Sequence, residues 1–120
     1  MTMINSTLQQ AFNRGQGLKV ISGLMNFNRP NVVAVVKAAT QGGATFVDIA
    51  ADPELVAIAR DLTHLPICVS AVEPEKFLPC VEAGADLIEI GNFDAFYAQG
   101  RRFEAPEVLQ LTRQTRSLLP

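Results

Sequence analysis

The chain has no tryptophan, one tyrosine (Tyr97), one histidine (His64) and two cysteines, Cys68 and Cys80. Each scarcity excludes something. A lone histidine leaves no Ser–His–Asp triad and no histidine-rich zinc site. Two cysteines on different predicted elements, without metal-ligand spacing, suggest reduced thiols in a cytosol-like compartment. No apolar run approaches the roughly 20 residues of a membrane span. The stretch 1–10 is polar and lacks the apolar centre of a signal peptide, so a cytoplasmic protein without a membrane partner is expected. A formal charge of −2 and a pI near 5.3 do not supply the basic field that nucleic-acid binding requires. Four of the ten basic residues (Arg101, Arg102, Arg113, Arg116) fall in the last twenty positions, which is a local asymmetry only.

What is present reads as a packed α/β chain. In 120 residues, 48% are apolar and 18% charged, a one-domain globular composition. Four short apolar runs stand out: Leu18–Gly23, Thr45–Ala51, Pro66–Val72 and Leu87–Gly91. Their near-continuous hydrophobicity suits parallel strands buried on both faces. Between them, apolar residues recur at helical spacing: Val32, Val33, Val36 and Ala39; then Leu55, Ile58, Ala59 and Leu62; then Phe77, Leu78 and Val81. Val108, Leu111, Thr112 and Leu118 follow the last run. Such alternation predicts four βα units over 18–120, behind a polar, helical segment at 1–17.

Punctuation supports these boundaries. Pro30, Pro53, Pro74 and Pro106 stand near predicted helix starts, where a missing N–H costs nothing. Asn28 and Asp52 suit N-caps, and Gly42-Gly43 and Gly84 suit C-caps. Residues 43–50 and 84–91 form an internal repeat, Gly-Ala-Thr-Phe-Val-Asp-Ile-Ala against Gly-Ala-Asp-Leu-Ile-Glu-Ile-Gly, which aligns Asp48 with Glu89. Repetition across two βα units favours half of a (β/α)8 barrel of the TIM type over an open doubly wound sheet. Four strands leave two free edges and cannot close alone. The chain is therefore expected to be the first half of a longer barrel or, if complete, to pair as a homodimer.

Strand alternation sorts the side chains. With Val20, Val47, Ile49, Val69, Ile88 and Ile90 facing the helices, Lys19, Asp48, Ser70 and Glu89 point into the barrel, one polar residue per strand. Buried ions need partners, so this is either a satisfied structural network or a catalytic cluster like those that barrel enzymes assemble from several strands. In the catalytic reading, Lys19 is a Schiff-base nucleophile or an anion clamp, Asp48 or Glu89 a general base, and Ser70 an orienting hydroxyl. Ser22 after the first strand and Asn92, Gly100, Arg101 and Arg102 in the long 91–103 loop are candidates for binding an anionic substrate. Against this stands a short amphipathic helix whose arginines pair with Glu104 or Glu107. No dedicated metal ligand set and no cofactor motif is evident. His64, in the turn before the third run, reads as a surface residue, and Cys68 as an inward core thiol.

Several stretches resemble the hypothetical chloroplast reading frame twenty-three family of cyanobacteria and algal plastids, a family of unknown function. They are Lys19–Leu24, Gly42–Ala50, Cys68–Pro74, Ala83–Asp94 and Phe96–Phe103. The resemblance implies a chain about twice this long, similar to barrel proteins, and a plastid stroma where the gene is plastid-encoded. It implies no reaction. A fainter likeness of Ala85–Gly91 to tryptophan synthase alpha subunits implies an acid/base role for Glu89, although that family's proline-rich substrate loop is missing. Two functions remain open: a lyase, aldolase or isomerase acting on a small anionic, phosphorylated metabolite, and a non-catalytic metabolite-binding or regulatory protein. The second would present Phe93, Phe96, Tyr97, Arg101 and Arg102 as a partner surface.

Overall fold

The computed structural model describes the backbone of residues 3–91 and 94–120. Helix α1 (Met3–Asn13) precedes strand β1 (Lys19–Ile21), helix α2 (Arg29–Gln41), strand β2 (Phe46–Ala50), helix α3 (Pro53–Leu62) and strand β3 (Ile67–Ala71). A 3₁₀ turn (Pro74–Lys76) leads into helix α4 (Phe77–Ala83). Strand β4 (Leu87–Ile90), the short helix α5 (Asp94–Ala98) and helix α6 (Ala105–Leu118) complete the order. Every observed strand lies within an expected apolar run.

The four strands form one parallel sheet in the order β1-β2-β3-β4. Sequential order without a reversal removes the switch point that marks a doubly wound sheet. The result is a run of βα units consistent with half of a TIM-type barrel. No helix among the described residues is long and apolar enough to cross a membrane.

Helix α2 shows why caps matter. It contains four valines, residues with little helix preference, yet it forms over 13 residues. Asn28 accepts the N–H of Asn31 (2.9 Å) and Pro30 occupies the first turn, so the start is fixed before the valines enter. Val32, Val36 and Ala39 then face the sheet at i, i+4 and i+7. Asp52 caps α3 in the same way, accepting from the Glu54 N–H at 2.9 Å. The main core lies between these helices and the sheet. Val47, Ile49, Ile67, Val69, Leu55, Val56 and Phe77 are all buried in it, with Val20, Ile88 and Ile90 packed against its margin.

The internal repeat has a structural meaning. Gly43 and Gly84 both adopt positive φ (82° and 119°), a conformation that favours glycine. At each, the next N–H returns to the helix five residues back, Ala44 to Ala39 and Ala85 to Cys80, both at 3.0 Å. The following residue then clamps the preceding part of the sheet. Thr45 N–H donates to the Leu18 carbonyl while Thr45 Oγ1 accepts the Leu18 N–H (2.8 and 2.9 Å). Asp86 does the same with Ile67 (2.8 and 3.0 Å). Three residues later stand Asp48 and Glu89. The repeat is thus a helix stop, a strand clamp and an inward carboxylate, written twice.

Candidate functional site

Alternation from the clamps turns Lys19, Asp48, Ser70 and Glu89 to the sheet face opposite the helices. Parallel register brings Ser70 opposite Glu89 and Asp48 opposite Cys68. The side chains meet. Ser70 Oγ lies 2.6 and 2.7 Å from the two Asp48 carboxyl oxygens and 3.4 Å from Glu89 Oε1. Lys19 Nζ donates to Glu89 and stands 3.9 Å from Asp48 Oδ2. The four residues therefore form one connected network.

Its groups are unequal. Asp48 is 2% exposed, and burial pushes its carboxyl above the usual carboxylate range. The hydrogen bond from Ser70 and the charge of Lys19 oppose that rise, while the charge of Glu89 adds to it. Lys19 titrates above an ordinary lysine, chiefly because its ammonium donates to Glu89, with the two carboxylate charges adding to the effect. One ammonium thus faces two carboxyl groups. Glu89 remains half-exposed on the open side of the sheet.

Cys68, on the same face as Ser70, is buried. Desolvation, with the Asp48 and Glu89 charges, pushes its thiol well above the ordinary range. It is a poor nucleophile there. Donor atoms of Asp48, Cys68 and Glu89 lie within 4.8 Å of one another, close enough to share a cation. Lys19 already supplies a cation to both carboxylates, and a protonated thiol is a weak third ligand. The donor set does not favour a metal.

The network lies inside the sheet rather than at its rim. Asp48 is the middle residue of β2, and Lys19 opens β1. The rim at the carboxyl ends carries an apolar cluster. Leu24, Val72 and Phe96 form a second buried cluster, with Phe103 packed against it. Gly91 permits this arrangement, since a Cβ there would stand 2.5 Å from Leu24 Cδ2 and 3.5 Å from Ser70 Cβ. Leu24 consequently lies against the end of β4, beside Ser70.

The remaining sequence candidates are dispersed around this rim. Ser22 Oγ accepts from Asn26 Nδ2 (3.1 Å), and Ser22 N–H donates to the Asp48 carbonyl (2.8 Å). Gly100 takes positive φ (81°) to close α5, and its N–H and that of Arg101 bond back to Tyr97 and Phe96 (3.0 and 2.8 Å). Those N–H groups are therefore occupied. Arg101 stacks on Phe96 and Phe103, its guanidinium carbon 5.5 and 4.7 Å from the ring centres. Among the described residues it makes no ion pair with Glu104 or Glu107. Arg102 is exposed. Asn92 and Phe93 lie outside the described residues. Phe96 is buried and Phe103 half-buried, which leaves Tyr97, Arg101 and Arg102 as the exposed part of the expected partner surface.

Sequence reasoning missed an ion pair on the opposite, amino-terminal face. Arg60 Nη1 pairs with Asp86 (3.1 Å), and Nη2 donates to the carbonyls of Thr63 (2.9 Å) and Leu65 (2.7 Å). Its only signal was that Asp86 replaces Thr45 in the repeat.

Four sequential βα units with a parallel sheet, and an ionisable network drawn from all four strands, make this an α/β protein consistent with half of a TIM-type barrel. The chain belongs to the family described as "Protein of unknown function (DUF561)", whose model matches residues 3–120. It is 51% identical over 118 residues to the "Uncharacterized protein ycf23" of Cyanophora paradoxa, covering 98% of this chain and 49% of that one. Proteins of the same description from Porphyra purpurea and Pyropia yezoensis are 39% and 41% identical over 117 residues, covering 98% of this chain and 44% and 43% of theirs. The chain spans about half the length of the curated relatives it matches.

Proposed function

We propose that this chain carries the proton-transfer half of a barrel enzyme of the isomerase or lyase type, acting on a small anionic metabolite. The observation that supports this most is Asp48: a buried carboxyl titrating high, bonded to Ser70 and facing both Glu89 and Lys19. A general acid or base works best when its pKa is moved toward the working pH, and burial does this for a carboxylate. Ser70 orients Asp48, and Glu89 sits where a proton can be passed on through the hydroxyl.

Lys19 fits an electrostatic role better than a covalent one. Schiff-base chemistry needs a neutral amine, and the bond to Glu89 favours the ammonium. Held there, the ammonium would stabilise negative charge developing on a carbonyl oxygen. Because Lys19 is already matched by carboxylates, a phosphate or carboxylate on the substrate would bind elsewhere. Arg101 and Arg102 at the rim are our candidates, Arg101 being the one stacked on aromatic rings. A closed barrel would supply the opposite wall, through further βα units of the kind the longer relatives have room for, or through a second copy. An aqueous compartment, cytoplasm or plastid stroma, fits this reading.

The test is solvent deuterium exchange into small phosphorylated hydroxyketones and keto acids, followed by NMR. Both this chain and the full-length Cyanophora paradoxa relative would be used. Exchange that falls at least about 100-fold in Asp48→Asn supports the reading, because general acid–base groups contribute roughly 10²–10⁴-fold. Exchange unchanged in that variant sinks it. Saturable binding with no exchange in any compound leaves a non-catalytic metabolite-binding protein instead.

A further inference from the structure

A spacious cavity lies at the amino-terminal end of the strands. It holds about 460 Å³ between α1 and the turns that lead into β2 and β3, a volume in the range of small-molecule sites. Its floor is apolar, with Ala11, Ala44, Leu65 and Pro66. Its polar lining consists of Thr7, Gln10, Arg14, Gln16, Thr45 and His64, with no carboxylate among the lining residues. In a chain of net charge −2, that is a local reversal of sign.

The chain constructs this wall with some care. Gly15 takes positive φ (66°), and Gln16 N–H bonds back to the Ala11 carbonyl (2.8 Å), so α1 ends sharply and returns Gln16 to the cavity edge. Thr45 Oγ1 donates to the Gln16 carbonyl (3.3 Å), which fixes the returning segment to β2. Four basic residues packed on the sheet and its helices, Lys19, Arg29, Arg60 and Lys76, each have a carboxylate partner. Among the described residues the Arg14 guanidinium and the His64 imidazole have no partner. Two unmatched nitrogen donor groups at the edge of an apolar floor suit an anion joined to an apolar body.

We infer that this amino-terminal cavity binds a small phosphate- or carboxylate-bearing metabolite, with Arg14 and His64 gripping the anion and the Ala44–Leu65–Pro66 floor taking its apolar part. The site is independent of the proton-transfer reading, because none of its residues belongs to the Asp48 network. It also gives His64 a role beyond that of a surface turn residue.

Amide NMR titration of the chain with inorganic phosphate at constant ionic strength tests the anion grip. The expected result is saturable shifts at Arg14, Gln16, Thr45 and His64, with affinity about five-fold or more weaker in Arg14→Gln. His64→Gln should weaken it less. Adding n-butyl phosphate tests the floor and should bind more tightly than inorganic phosphate. Shifts confined to the Arg101–Arg102 loop, shifts that never saturate, or equal affinity in Arg14→Gln would each overturn the inference. Arg14 and His64 are both exposed, and the folding of the two variants is checked by an unchanged amide spectrum elsewhere.

Discussion

The two faces of the sheet obey different rules, although the same strands make both. On the helix side, Val47, Ile49, Ile67 and Val69 are fully buried and apolar, and specificity there comes from packing. On the inner side, Phe46, Cys68 and Leu87 accompany Lys19, Asp48, Ser70 and Glu89, and order there comes from hydrogen bonds and charge. Two isoleucines make the contrast concrete. Ile49 is wholly buried, whereas Ile21, on the inner face of the edge strand, is 59% exposed. The inner layer is buried at Asp48, Cys68 and Ser70 and open at the edge strand. The apolar packing layer and the ionisable network are therefore separated by one peptide plane.

The largest effect should come from breaking the outer face. Ile49→Ala is expected to cost roughly 2–5 kcal/mol, against less than about 0.5 kcal/mol for Ile21→Ala, measured by urea unfolding. Should Ile21→Ala cost as much as Ile49→Ala, the inner face is covered in solution and the contrast fails.

Next comes Ser70→Ala. It removes the donor of the Asp48 hydrogen bonds, a loss of about 1–3 kcal/mol for a buried polar group left without its partner. The Ser70 bond holds Asp48 down, so the variant should also push that carboxyl higher, as read by carboxyl carbon chemical shifts against pH. A titration unmoved by Ser70→Ala would show that the hydroxyl does not govern Asp48.

The smallest effect is one of sign. Because the folded-state pKa of Asp48 is raised, its ionisation opposes folding. The stability that it contributes is present below the unfolded carboxylate range and is lost as pH rises through the raised value. Asp48→Asn should therefore gain on the parent chain as pH rises from about 4 toward neutrality, and the difference should flatten above the raised pKa. Lys19, whose pKa is also raised, loses stability in the same direction but in a far higher window: its contribution persists through neutral pH and disappears only in alkali, above the ordinary lysine range. If the variant's advantage instead grows on acidification, the ionised form of Asp48 is what the fold prefers.

Much of the fold was legible because local signals agreed. Alternating runs, prolines in first turns and the caps Asn28 and Asp52 all point to the elements observed. Strand parity also brought Lys19, Asp48, Ser70 and Glu89 to one face before any contact was known. The unreadable parts depend on contacts between distant segments. Arg101 stacks on Phe96 and Phe103 rather than pairing with nearby glutamates, because α5 ends where its backbone turns the guanidinium over the rings. Likewise, that Arg14 and His64 line one cavity depends on how α1 docks against the turns leading into β2 and β3. Fifty residues separate them, and no periodicity connects them.

The clamp shared by Thr45 and Asp86 has a consequence for how such a chain can vary. Each joint satisfies its own helix end and its own strand start, using atoms within one βα unit and the strand before it. A segment running from Gly43 to Gly84 thus begins and ends at equivalent connectors. Exchanging such segments between relatives would transplant an inward carboxylate together with the hydrogen bonds that aim it. Lineages built this way can acquire new inward-facing polar groups by recombination, without first solving the folding problem again.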